Sequence, residues 1–143
     1  MKPRQHLKMF KVKQLKIFKI IAIVFYLLII LVGQLIGLPF FFWLLYTMFD
    51  FGNPDQLFAF LGVVGLTISF IKLNSTRTFK VLLLDIICFI LLASPLVRRM
   101  TAVPIELFNY LAFIIPTTIF SLFYIISIYY SVRLYSKGQK AAV

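Results

Sequence analysis

Acid is scarce in this chain. Asp50, Asp55, Asp85 and Glu106 face fifteen lysines and arginines, and the net charge is +11. Acids this few and scattered offer no metal-ligand cluster and no nucleophile–base pair, so no catalytic and no metal site is assigned and the chain reads as non-enzymatic. Cysteine is limited to Cys88, inside an apolar run, so an intrachain disulfide is excluded. So is a quinone-linked thiol oxidoreductase, which needs paired cysteines. The one histidine, His6, lies among the N-terminal bases, which excludes bis-histidine haem ligation. No cofactor is expected. Polar residues of every kind are few. The hydrophobic share is 62%, against about 45–50% in soluble domains.

Long apolar runs joined by short polar connectors are what remains, and this pattern needs lipid as its solvent. The expected fold is all-α, an integral membrane bundle of four transmembrane helices forming a single domain over residues 1–143. The connectors are too short to hold a second folded unit. A basic N-terminal tail covers 1–19, and the spans fall at about 20–49, 57–71, 78–96 and 105–132, with Ser94-Pro95 marking the outer end of the third. The tail either forms a short amphipathic helix on the inner membrane surface or serves only as a topology signal.

The first run, Ile20 to Phe49, is 30 residues long. A straight helix of that length measures roughly 45 Å, and the hydrocarbon core is about 30 Å. Gly33-Gln34 and Gly37-Leu38-Pro39 mark a weak point, and a kink is predicted near Pro39 with Phe40–Phe49 as a tilted or outer-surface extension. The run is too long for a signal-peptide core and lacks a small-residue cleavage pattern, so it is expected to be retained. Four short spans resemble the small multidrug exporters. Those rely on a first-span carboxylate, and here that span has Gln34 and no acid.

The bases sort by side. Seven lie in the N-terminal tail, three in the loop at Lys72, Arg77 and Lys80, and three at Arg133, Lys137 and Lys140. The opposite connectors hold only Arg98 and Arg99. This distribution predicts a multi-pass protein of the plasma membrane with both termini in the cytoplasm. Richness in Ile, Phe and Lys suggests a bacterial inner membrane. Charge divided this way is a topology signal, and no nucleic-acid partner is expected.

Several residues are candidates for function. Asp85 is the one acid within a span, where a charge is costly. Lys80, or Lys72 and Arg77, could reach it from the inner side as a structural pair. Alternatively it couples protons or ions, or contacts another protein. Asn109, Thr117, Ser121 and Tyr124 suggest a polar face on the fourth span, for packing or for a substrate path. Ala59, Gly62, Gly65 and Ser69 form a small-residue strip for helix packing. Arg98 and Arg99 suit lipid headgroups or another anionic ligand. The expected partners are membrane lipids and either a protein partner or further copies in the membrane. The expected role is a subunit or accessory of a larger membrane complex. The alternative is a small oligomeric transporter or lipid-handling carrier using Asp85 and the polar helix face.

Overall fold

The computed structural model describes residues 3–32, 37–74 and 79–139. Among these, five α-helices carry the fold: α1 Pro3–Leu27, α2 Phe40–Met48, α3 Asp55–Ile71, α4 Phe79–Ala102 and α5 Leu111–Gln139. Two short strands, β1 Ile30–Val32 and β2 Gly37–Pro39, form an antiparallel pair between α1 and α2. Helix α4 and residues 111–136 of α5 are long and apolar enough to cross a membrane, while α3 is apolar but shorter.

The N-terminal segment continues into α1 as one helix. The first apolar run departs from the expected kinked helix. It stops at Leu27, pairs Ile30 with Pro39, Leu31 with Leu38 and Val32 with Gly37, and restarts as α2 at Phe40. Branched residues at Ile29, Ile30 and Val32 favour the extended backbone. Pro39, which has no N–H to give, closes the ladder at its end. The Phe40 N–H donates to the Ile29 carbonyl at 2.6 Å and seals the base. The excess length is thus folded into a hairpin. Gln34 lies outside the described residues, as do Ser75, Thr76 and Arg77.

Two further boundaries are corrected. Ser94-Pro95 was expected to end the third span, yet α4 runs on to Ala102. Pro95 cannot donate to the Leu91 carbonyl, and the Ser94 hydroxyl does so instead at 2.9 Å. The freed acceptor is satisfied, so the helix persists. Arg98 and Arg99 are therefore helical. At the fourth run, Ile105–Phe108 is a separate 3-10 turn and α5 begins only at Leu111.

One spacing organises the bundle. The buried positions include Leu15, Lys19, Ala22 and Tyr26 on α1, and Asp55, Ala59, Gly62, Leu66 and Ser69 on α3, with Ile23 and Gly65 beside them. On α4 they are Val81, Asp85, Cys88, Leu92 and Pro95. On α5 they are Phe120, Tyr124, Ser127 and Ser131. Steps of four and three recur throughout, the seam along which near-parallel helices interlock. Helix α1 lies along α5 and α3 along α4, while α2 packs on α3. Between α2 and α3 the chain turns through Gly52 at φ +94°, the left-handed region. The Asn53 side chain then accepts the Asp55 N–H at 2.9 Å, capping α3.

Candidate functional site

Polar side chains from four helices meet inside the bundle. Lys19 of α1 forms a salt bridge with Asp85 of α4, and their side chains are 1% and 2% exposed. One turn along α4 from Asp85 lies buried Cys88. The Ser69 hydroxyl of α3 shares a 3.2 Å hydrogen bond with the Tyr124 hydroxyl of α5. Polar side chains therefore link the helix pairs, α1 to α4 by charge and α3 to α5 by hydroxyls.

An ammonium held in low dielectric is stable only beside its counter-charge. Lys19 occupies a position of the buried seam that Leu15, Ala22 and Tyr26 otherwise fill with apolar bulk. The structure thus brings Lys19, sixty-six residues away, to Asp85, while the nearby Lys80 is exposed at the start of α4. Sequence reasoning missed Lys19 because it closes a run of seven bases and reads as part of the tail. Its spacing from Leu15 and Ala22 was the available signal.

The other candidates separate. Ala59, Gly62, Gly65 and Ser69 are all buried on α3. A Cβ at Gly65 would lie 2.8 Å from Leu91 Cβ, and one at Gly62 would lie 3.0 Å from Pro95 Cγ. On α5, Thr117 is half-buried and its hydroxyl oxygen has no hydrogen-bond partner among the described residues. The Ser121 hydroxyl donates to the Thr117 carbonyl at 2.9 Å, so it serves its own helix. Asn109 is exposed and precedes α5, so it does not join this face. Proline at 104 starts a turn that ends at Phe108, and the helix that would have aligned Asn109 with Thr117 begins only at Leu111. Sequence reasoning also missed Tyr110, whose hydroxyl donates to the Ile30 carbonyl at 2.6 Å and ties the hairpin to the start of α5.

Far along α3 and α4 from this node, Arg98 Nε donates to Asp55 Oδ1 at 2.9 Å. Arg98 also stands 6.0 Å from the Phe58 ring centre, and Arg99 stands 5.7 Å from that of Trp43. Among the described residues no group of His, Cys, Asp and Glu is arranged to hold a metal ion. No family model matches the chain, and neither a curated protein nor a solved structure matches it.

Proposed function

We propose that the protein is a small, non-enzymatic, multi-span membrane protein that acts as a subunit or accessory of a larger membrane complex. It would cross the bilayer four times, with α1 and α2 supplying one crossing and α3, α4 and α5 the others. Both termini would face the cytoplasm, on the distribution of basic residues, and a bacterial inner membrane is the proposed location. The observation that carries this reading is the Lys19–Asp85 pair. Its charges are closed inside the bundle and engaged in joining helices. The outward faces are apolar, with Leu83, Ile90 and Val97 exposed on α4 and Leu122, Ile125 and Tyr129 on α5. Such faces suit lipid or a neighbouring helix.

Purification of the full chain in mild detergent tests the reading. A partner recovered in fixed stoichiometry through gel filtration supports it, and a lone homo-oligomer sinks it. A second reading is a small oligomeric carrier. It is favoured by the buried hydroxyls of Tyr26, Thr117 and Ser131, which lack partners among the described residues. In a carrier, the Asp85 carboxylate itself would be needed for transport. A folded Asp85→Asn variant that fails to complement a deletion strain would favour that reading.

A further inference from the structure

A groove of about 390 Å³ runs along α4 on the side of Phe58. Its wall is made by Phe58, Phe89, Ala93 and Val97, and its far end by Arg98 and Thr101. Phe89 to Thr101 spans twelve residue steps, roughly 18 Å at the helical rise. That is close to the hydrocarbon depth of one leaflet, half of a core of about 30 Å. The wall is almost wholly apolar and the charge sits at one end, which is the polarity of a lipid molecule.

Arg98 is prepared for an anion. Among the described residues its bond to Asp55 uses Nε alone, which leaves the donors of the two terminal amino groups for a second acceptor. Phe58 packs at 6.0 Å from the guanidinium and limits where it can swing. A planar fork fixed on one edge and free on the other matches two phosphate oxygens. Arg99, one position on and turned toward Trp43, adds positive charge at the same level.

We propose that this groove is a binding site for one anionic phospholipid of the outer leaflet, with an acyl chain along α4 between Phe89 and Val97 and the phosphate on Arg98. The inference rests on the membrane reading above and deepens it by naming a ligand class.

The test titrates the detergent-purified full chain with phosphatidylglycerol or phosphatidylcholine of identical acyl chains and reads bound lipid by native mass spectrometry. The wild type is expected to bind one phosphatidylglycerol roughly tenfold more tightly than phosphatidylcholine, the discrimination of one good charge-assisted contact. Ala93→Phe fills the groove and should abolish tight binding of both lipids. The double variant Asp55→Asn/Arg98→Gln removes the ion pair as a unit, keeps the groove, and should lose only the preference for phosphatidylglycerol. Thermal unfolding of each variant shows that it is folded. Equal affinity of the wild type for both lipids overturns the proposal. So does wild-type binding by Ala93→Phe, whether the groove is empty or holds a helix of another protein. Retention of the preference by the double variant overturns it as well. A chain that washes off membranes in alkaline carbonate overturns the membrane reading and this inference together. A chain that stays embedded but shows no lipid preference overturns this inference alone.

Discussion

The two long helix pairs reach the same end by opposite means. Along α3 and α4 the contact is backbone-close, with Gly65 leaving no room for a methyl group beside Leu91 and Gly62 held tight against Pro95. Along α1 and α5 it is made of rings. Phe18 lies 5.8 Å from Phe123 and 5.7 Å from Tyr130, and Tyr26 lies 4.9 Å from Phe120. In lipid, where burying apolar surface gives helices no advantage over the solvent, association rests on packing and hydrogen bonds. Small residues gain packing by closeness, and aromatic residues gain it by area. The first kind of contact has no slack, and the second has many adjustable atoms. Neither pair is tied to the other by bulk alone, because Lys19–Asp85 and Ser69–Tyr124 cross between them.

Breaking the charged link should have the largest effect. Asp85→Asn alone leaves the buried Lys19 ammonium without this counter-charge, and Lys19→Met takes the ammonium away from Asp85; removing one partner of a buried pair costs about 3–5 kcal/mol. Each single variant should fall sharply in thermal stability and yield in detergent. Lys19→Met/Asp85→Leu should recover most of that loss. A double variant as damaged as either single would show that the pair does not act as a unit.

The glycine contact comes next. Gly65→Ala sets a methyl against Leu91 Cβ and a backbone oxygen, with little that can yield. Overpacking of this kind costs about 1–3 kcal/mol. Gly62→Ala meets Leu44, Tyr26 and Pro95 side chains, and should cost less. Equal melting temperatures for the two variants would contradict the asymmetry, and leucine at either position should prevent assembly.

Smaller effects are expected at the hydroxyl link and then at the rings. Tyr124→Phe removes one partner of Ser69 at a cost of about 1 kcal/mol. Adding Ser69→Ala should cost little more, as a double-mutant cycle in chemical denaturation would reveal. Phe123→Leu, on the ring-packed side, should cost under about 1.5 kcal/mol, since neighbouring side chains can refill the space. A loss there as large as that of Gly65→Ala would erase the contrast between the pairs.

The helix seams were legible in the sequence where small residues marked them, as at Ala59, Gly62, Gly65 and Ser69. A bundle in lipid is apolar outside as well as inside, so hydrophobic periodicity says little about which face is buried. The node was therefore half visible. Asp85 stands out by being charged in an apolar run, while Lys19 hides among like charges at the edge of one. The hairpin was not legible, because two three-residue strands inside a thirty-residue apolar run leave no alternation to read. Pro95 misled for a local reason. The Ser94 side chain restores what proline removes, and only the pair of residues read together predicts a helix that continues.

The partnership of α1 with α5 also dictates an order of events during synthesis. Helices α3 and α4 are neighbours in the chain and can pair as soon as both have emerged. Helix α1 leaves the ribosome before any of them, yet the surface it lies along is made last. Until Asp85 is available, Lys19 has no buried counter-charge. On the membrane reading proposed above, the N-terminal helix would wait at the membrane edge, with Lys19 in water, and be seated after the rest of the bundle has formed.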